Sequence, residues 1–383
     1  MLKYELLVER SELMVKQIAI IGGGIVGATA AFYLSHLPGS EQTQVTLFDD
    51  GTGQATKAAS GIISPWLSKR RNKRWYALAK AGAELYPKLV TEAQLGPDAY
   101  QQTGTIVTRK SAKDLEKLYQ EALTKADHTP AMGHVTLLSS EAVQQRLPLL
   151  SNPPAGVFVS GGAKIDGANF VWNLLERAQQ TNLKIISQTV SLTADGDIIT
   201  EDGLQQFDQT IIATGAWMKK TLTPMGITMK IRPQKGQLID LKLSQQLAPQ
   251  SMPVLMPEGS SDIIPFNNGK LVIGATHENE GGFDLKATQV AAQQLLNNAK
   301  AFMAHLNSHQ ITGVRVGTRA YTDDFAPFFG RLPNRSNILV GGGLGSSGLT
   351  TGPIIGYLLA HSIFGQSTTD WQQYTKPVSQ YIE

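Results

Sequence analysis

Three glycines near the N-terminus have the spacing of a phosphate-binding turn. Gly22, Gly24 and Gly27 follow the apolar run Lys16–Ile21 and lead into a segment, 25–37, with helical periodicity. The first glycine permits a tight turn, the second lets backbone N–H groups approach a pyrophosphate, and the third lets the helix pack closely on the sheet. The helix N-terminus then faces the phosphate charge. The pattern predicts a dinucleotide-binding site.

A carboxylate in the right place supports this interpretation. Residues 44–48 form a second apolar run, and Asp49 follows it about 20 residues after the glycines, where an acid binds the adenosine ribose. Strand, helix and strand in this order predict a parallel crossover unit. A glycine triplet alone also suits an ordinary turn, so the acid carries much of the argument.

Two later segments favour FAD over NAD. Residues 207–215 read as a strand that ends in Ala-Thr-Gly, a signature that recurs in flavoproteins, and residues 341–350 form a second glycine-rich strand-to-helix turn. This second turn would direct backbone N–H groups and a helix dipole at the flavin edge that becomes negative on reduction. The alternative for the second turn is a helix cap with packing glycines.

The composition limits the possible classes of protein. A chain of 383 residues suits two domains, and 42% hydrophobic with 17% charged residues excludes a disordered chain. A net charge of +3 gives no argument for a nucleic-acid partner. Met1–Leu13 does not resemble a secretory signal, and no apolar run reaches the roughly 18 residues that span a bilayer. We therefore expect no transmembrane segment and a cytoplasmic location.

Parallel crossover elements at both ends and a β-rich middle predict two interleaved domains. The predicted fold class is α/β, with a Rossmann-like FAD-binding domain and an α+β substrate domain built on a mostly antiparallel sheet. We assign residues 14–100, 166–218 and 313–383 to the first domain and residues 101–165 and 219–312 to the second.

In this order and spacing, the segments resemble the D-amino-acid oxidase superfamily, and most closely its glycine oxidase and D-amino-acid dehydrogenase branch. The resemblance runs from about Gln17 to Gly365 and so covers nearly the whole chain. Further segments that carry it are residues 54–62, 233–237, 263–265, 272–276 and 313–318.

The resemblance implies a set of FAD contacts. Beyond the glycines of the first turn, they are Ile25, Val26, Asp49, Asp50, Thr56, Ser60, Gly61, Ile62, Val190, Gly215, Gly343, Leu344, Gly345, Ser346, Ser347, Gly348, Leu349 and Thr350. The chain has no cysteine for a thioether link, so we expect non-covalent FAD. No metal is expected, because His305 and His309 on a predicted helix lack a glutamate and a third ligand.

The resemblance also implies a reaction. It is oxidation of the C–N bond of a small amine or amino acid, of the glycine or D-amino-acid type, by hydride transfer to flavin N5, with oxygen or another electron acceptor as co-substrate. Arg315 matches the arginine that binds the substrate carboxylate, and a guanidinium fork suits a planar carboxylate. The alternative for Arg315 is a surface ion pair. A homo-oligomer is possible.

Two departures from the family pattern concern the substrate. Asp262 stands where a substrate-facing tyrosine is usual, Ser346 stands at the position of a second arginine, and His277 follows Gly-Ala-Thr towards the same pocket. Asp262 either faces this pocket or caps a turn.

The basic run 69–74 is either a solvated face or a segment that steers an anion or docks an electron acceptor.

Two other functions remain open from the sequence. The same hydride chemistry on a C–OH group would make the protein a 2-hydroxy-acid dehydrogenase, with His277 accepting the hydroxyl proton. A non-catalytic flavin-binding sensor would need the cofactor site without the substrate anchors.

Overall fold

The computed structural model describes residues 15–243, 251–366 and 370–383. The N-terminal segment predicted not to be a signal therefore lies outside the described residues. The strands are β1 (Lys16–Ile21), β2 (Thr43–Phe48), β3 (Ile62–Ile63), β4 (Tyr100–Gln101), β5 (Thr105–Val107), β6 (Val135–Leu138), β7 (Gly156–Val159), β8 (Ala163–Ile165), β9 (Leu183–Ile186), β10 (Ser191–Leu192), β11 (Ile198–Thr200), β12 (Gly203–Gln205), β13 (Gln209–Ile212), β14 (Arg232–Lys242), β15 (Val254–Met256), β16 (Asp262–Pro265), β17 (Lys270–Gly274), β18 (Ile311–Tyr321), β19 (Phe328–Leu332) and β20 (Arg335–Gly342). The α-helices are α1 (Ile25–His36), α2 (Ala55–Ala58), α3 (Lys73–Glu92), α4 (Ala112–Ala126), α5 (Ser140–Arg146), α6 (Gly167–Gln179), α7 (Met218–Leu222), α8 (Gln289–Lys300) and α9 (Gly348–Ile363).

A six-stranded sheet holds the predicted crossover unit. Its order is β19-β20-β13-β1-β2-β9, and all pairs are parallel except β19 with β20. Strand β1 is an almost continuous apolar run because helices cover both faces of such a sheet. Helix α1 is buried nearly all round because it packs against both α6 and α9. The predicted Rossmann-like part of the fold is confirmed.

A second sheet of eight strands has the order β18-β14-β17-β16-β15-β5-β7-β6. Every pair is antiparallel except β15 with β5, so the predicted mostly antiparallel sheet is also confirmed. Two short sheets of three strands complete the β-structure, in the orders β10-β11-β12 and β3-β8-β4.

Strand β18 was not expected as a strand, although it is 11 residues long and pairs along nearly all of β14. One of its faces carries Arg315, Gly317 and Arg319, so the segment lacks the continuous apolar run of a fully buried strand. The structure places this strand in the eight-stranded sheet, whereas residues from 313 onward were assigned to the cofactor domain. The domain boundaries themselves stay a prediction.

The histidine pair does not lie on a helix. Helix α8 ends at Lys300, so His305 follows it and His309 falls in a 3-10 turn. Within residues 15–243, 251–366 and 370–383, no cluster of side chains could hold a metal ion. In the same ranges no helix is long and apolar enough to cross a membrane.

The two large sheets meet at β18. The Gly317 position lies against Ala55 and Ala58 of helix α2, and Thr318 forms a bridge with Gln54. At the end of the strand, Tyr321 forms a bridge with Leu344. The second sheet is thereby held opposite both glycine-rich turns, and the space between them is the candidate site.

Candidate active site

A cavity of about 930 Å³ lies between the two sheets. This volume is near the upper end of the roughly 300–1,000 Å³ that is usual for small-molecule and cofactor sites. The cavity extends from the first glycine turn and the segment Gln188–Ser191 to the strands β14 and β18. Both glycine turns therefore open into one continuous space.

The first turn combines a packed glycine with an open one. A Cβ on Gly27 would lie 1.9 Å from the carbonyl oxygen of Gly22, so only glycine lets α1 start this close to β1. A Cβ on Gly24 would meet only the Thr56 hydroxyl oxygen, at 3.4 Å, and Gly24 lines the cavity. The Ile25 N–H donates to that hydroxyl at 3.0 Å. Backbone space at Gly24 is thus left for a ligand.

Two aspartates lie beside this turn. Asp49 accepts hydrogen bonds from the Gly23 N–H and from Gln54 Nε2, the latter at 2.8 Å to each carboxylate oxygen. Asp50 accepts hydrogen bonds from the Thr52 N–H at 2.9 Å and from the Thr189 hydroxyl at 2.8 Å, and these two bonds, the first more than the second, lower the pKa of Asp50. Both carboxylates line the cavity, where a ribose hydroxyl would find acceptors.

The second turn is held by helix α3. Trp75 Nε1 donates to the Ser347 hydroxyl at 3.0 Å, and the Tyr86 hydroxyl donates to the Leu349 carbonyl. Helix α9 starts at Gly348, and its first three residues line the cavity. The positive end of a 16-residue helix therefore points into the space where negative charge is to be stabilised.

Most of the predicted cofactor residues line the cavity. They are Gly22, Gly24, Ile25, Val26, Asp49, Asp50, Thr56, Ser60, Gly61, Ile62, Val190, Gly215, Leu344, Gly345, Ser346, Ser347, Gly348, Leu349 and Thr350. Gly27 and Gly343 are not among the lining residues. The cavity volume, the open Cβ position at Gly24, the paired carboxylates and the two helix N-termini fit FAD.

The substrate end of the cavity has a floor made by two facing glycines. Gly236 of β14 lies opposite Gly317 of β18, and both residues line the cavity. The Arg319 side chain lies over Gly236, where an added Cβ would be 2.6 Å from Nη1. The missing side chain of Gly236 leaves room for the Arg319 guanidinium, and that of Gly317 leaves room for helix α2.

Arg319 and His277 share one amide. Arg319 Nη1 donates to Gln234 Oε1 and to the Thr276 carbonyl, both at 2.9 Å, and His277 Nδ1 lies 3.1 Å from the same Oε1. Gln234 Nε2 donates to Asn279 Oδ1 at 2.7 Å, which fixes the orientation of the amide. His277 Nδ1 therefore donates, and Nε2 of the neutral ring keeps its lone pair.

The charge state of His277 follows from its surroundings. Burial is the largest cause that lowers the pKa of His277, and the positive charges of Arg319 and Arg70 lower it further. The ring is therefore neutral at neutral pH. Its free Nε2 can accept a proton from a ligand in the cavity.

Arg315 lies elsewhere. Its Nη2 forms an ion pair with Asp240 at 2.9 Å, and Nη1 donates to the Ala59 carbonyl at 3.1 Å. Arg315 is not among the residues that line the cavity, whereas Ala59 is. In this geometry Arg315 holds the loop before β3 in place. Arg319 is four residues further along β18, so its side chain lies on the same face of the strand, and it presents its guanidinium to the cavity.

Arg70 supplies a second guanidinium that the sequence did not reveal as a pocket residue. Its Nη2 donates to the Ser346 hydroxyl at 2.7 Å, and its Cζ lies 4.7 Å from the centre of the Trp75 ring. The family pattern has an arginine at the position of Ser346, so Arg70 brings a guanidinium to this place from another part of the chain. Elsewhere in the basic run, Lys69 pairs with Glu258 and Arg71 is exposed.

Asp262 faces the cavity from β16. Its carboxylate has no hydrogen-bond partner within the described residues, so the side chain does not cap a turn there. Burial raises the pKa of Asp262 to about 7. Strand β16 lies three strands from β18, about 14 Å at the usual strand spacing of roughly 4.8 Å, so Asp262 lies well apart from Arg319 on the same sheet.

Comparison with known proteins places the chain in a family. The model of the DAO family, described as FAD dependent oxidoreductase, matches residues 17–362, and the chain belongs to this family. A Bacillus subtilis protein named uncharacterized oxidoreductase YurR is 34% identical over 362 residues, which cover 92% of this chain and 96% of that protein. A glycine oxidase of Pseudomonas aeruginosa is 26% identical over 364 residues, which cover 92% of this chain and 96% of that protein.

A solved structure gives the same answer for the fold. Iminodiacetate oxidase from Chelativorans sp. BNC1 has a TM-score of 0.86 to this chain at 29% identity, over 94% of this chain and 98% of that one. The family predicted from the sequence is confirmed, and with it the class of FAD-dependent oxidoreductase.

Substitution of Gly24 and of Gly27 in the first turn should have different effects, the first on flavin binding and the second on stability. Gly24→Val should fold with the thermal stability of the FAD-free wild type but retain little or no flavin, because its side chain projects into the cavity. Gly27→Val should lose about 1–3 kcal/mol of stability or more, because its Cβ overlaps the Gly22 carbonyl. Flavin absorbance after purification and circular-dichroism melting measure both effects. Full flavin content in Gly24→Val would contradict the assignment.

The raised pKa of Asp262 predicts a pH-dependent stability. Its folded pKa of about 7 lies above the unfolded value, so the folded state loses stability as pH rises from about 4 to 7 and not beyond. Asp262→Asn removes this loss. The melting temperature of the variant minus that of the wild type should therefore be at least about 2 °C larger at pH 8 than at pH 5. Asp202→Asn, at an exposed position, should show no such trend. A constant difference for Asp262→Asn would mean that the carboxyl is freely solvated.

Proposed function

We propose that the protein oxidises the C–N bond of a small amine or amino acid that carries a carboxylate, with non-covalently bound FAD. The observation that carries this proposal is the Arg319 guanidinium above the glycine floor, beside a neutral imidazole, in a cavity that also contains both cofactor turns. Family membership supports the FAD chemistry. The absence of cysteine leaves no thioether attachment.

FAD, when bound, supplies a two-electron oxidant for the carbon next to the nitrogen, and water then hydrolyses the imine. The chain has to bind and orient the substrate and remove a proton from its ammonium group. Arg319 binds the carboxylate with the guanidinium edge that Gln234 and Thr276 leave free. His277 Nε2 accepts the proton, because the ring is neutral and its Nδ1 is engaged with Gln234.

Asp262 gives the site a negative pole above pH 7, three strands away from Arg319 in the same sheet. An unpaired carboxylate in an enclosed site is costly, so a cationic or hydrogen-bond-donating group of the substrate is expected to satisfy it. This role, like that of Arg315 as carboxylate anchor, remains a prediction from the sequence. The location of Arg315 beside Asp240 favours Arg319 as the anchor.

One observation favours a second candidate function. The free Nε2 of neutral His277 would equally accept the proton of a hydroxyl group, which is the requirement of a 2-hydroxy-acid dehydrogenase. The names of relatives favour the amine. One is a glycine oxidase and another an iminodiacetate oxidase, and both glycine and iminodiacetate carry a carboxylate on the carbon next to nitrogen.

An anaerobic stopped-flow screen tests the proposal. Loss of flavin colour with D-, L- or N-substituted amino acids, including glycine and iminodiacetate, supports amine oxidation. Loss of colour with hydroxy acids alone establishes the second candidate. A flavin that no compound reduces, in a protein that binds FAD, leaves the sensor as the remaining interpretation. Mixing the reduced protein with oxygen or with a quinone then identifies the electron acceptor.

Arg319→Met should raise the KM for a carboxylate substrate about 30- to 1,000-fold while leaving bound FAD intact. The reason is loss of a charge-assisted bidentate contact, about 2–4 kcal/mol, while the methionine keeps apolar contact with Gly236. Arg315→Met is the matched comparison, since it removes the same charge from the same strand face. Steady-state kinetics decide between the two, and a KM that rises only in Arg315→Met would return the anchor to Arg315.

A further inference from the structure

The cavity holds more positive charge than one carboxylate requires. Arg70 and Arg319 both line it, and neither forms an ion pair within the described residues. Both guanidinium groups share this cavity with the His277 ring. Glu278 acts electrostatically on Arg319 without an ion-pair contact, and its carboxylate accepts hydrogen bonds from the side chains of Gln237 and Thr276.

The two guanidinium groups are held independently. Arg319 is fixed from the sheet by Gln234 and by the Thr276 carbonyl. Arg70 is fixed from the loop before α3 by Ser346 and the Trp75 ring, and its Nη1 is buried without a hydrogen-bond partner within the described residues. The Arg319 and Arg70 guanidinium groups are each held in place by different residues, so they offer two separate binding positions for anions.

Buried charge without a partner is costly. Desolvation of a guanidinium is offset only when an anion with suitable geometry accepts its remaining hydrogen bonds. Burial lowers the pKa of Arg70, because its positive charge is poorly solvated. Asp262 cannot serve as the missing anion for Arg319, because it belongs to a strand three places away in the sheet.

We infer that the substrate carries two carboxylates, one bound by Arg319 and the second bound by Arg70, so that Arg70 determines specificity for dicarboxylates. The inference rests on the proposed function, because the first carboxylate and the nitrogen are placed by it. The substrate class is an amino acid whose nitrogen or side chain bears a further carboxymethyl or similar acidic arm. An amino acid with an apolar arm would leave Arg70 unpaired.

Ligands that cannot be oxidised test the inference without turnover. Oxydiacetate has two carboxymethyl arms on one oxygen, and methoxyacetate replaces one carboxylate with hydrogen while keeping the rest of the molecule. Titration of the FAD-loaded protein, followed by the flavin visible spectrum and by calorimetry, gives both dissociation constants. The wild type should bind oxydiacetate at least tenfold more tightly, and equal binding would overturn the inference.

Substitution of Arg70 locates the second carboxylate. Arg70→Met keeps an apolar stem on Trp75 and should bring the two ligands to within about threefold of each other, chiefly by weakening oxydiacetate. Arg71→Met removes the same charge from an exposed neighbouring position and should keep the wild-type ratio. Equal weakening of both ligands in Arg70→Met would overturn the inference, since Arg70 would then act on the first carboxylate or on the pocket shape.

Arg70→Lys replaces Arg70→Met if that variant does not fold. Loss of the bidentate contact should still reduce the ratio of the two dissociation constants.

Failure of the proposed reaction and failure of this inference give different results. If no amine reduces the flavin while the ligand ratio and its dependence on Arg70 hold, the proposed reaction fails and the dicarboxylate site stands. If amines reduce the flavin with no preference for dicarboxylates in either assay, the reaction stands and this inference fails.

Discussion

In the eight-stranded sheet, where it packs against helix α2, Gly236 lies opposite Gly317 and neither residue has a side chain. The close contact of Gly317 with helix α2 lets β18 lie directly under the loop that lines the cofactor end of the cavity. Side chains larger than hydrogen at this pair would separate the sheets or fill the space between them. The position of the cofactor turns, the room for the Arg319 side chain and the depth of the cavity all depend on this close approach.

The surroundings of each ionisable side chain determine its charge at the substrate end of the cavity. Arg319 and Arg70 keep their positive charge with few neighbouring acids, and burial together with this positive field keeps His277 neutral. Asp262, three strands away from Arg319, keeps its proton up to about pH 7 because burial disfavours its ionised form. The region around Arg319 and Arg70 therefore attracts anions, while the region around Asp262 changes charge near neutral pH. Such a separation orients a substrate that has an acidic end and a nitrogen.

Arg70 shows that a guanidinium group can occupy the same place in the fold although it comes from a different position in the sequence. The family pattern has an arginine where this protein has Ser346, and the Ser346 hydroxyl accepts a hydrogen bond from Arg70. The side chain arrives from a loop more than 270 positions earlier in the sequence. The short side chain of Ser346 leaves room for the guanidinium, so the departure from the pattern and the basic run are parts of one arrangement.

The sequence by itself determined the local features: the first strand, turn and helix, the carboxylate after β2, the second glycine turn, and the family. These depend on backbone conformation and short-range periodicity, which neighbouring residues specify. The tertiary structure decided which arginines face the cavity. Arg315 and Arg319 share one strand face, and only the positions of Asp240 and Gly236 in the adjacent strand turn one side chain away and leave room for the other. The pKa of Asp262 and the contact of Arg70 with Ser346 likewise arise from residues distant in sequence that folding brings together.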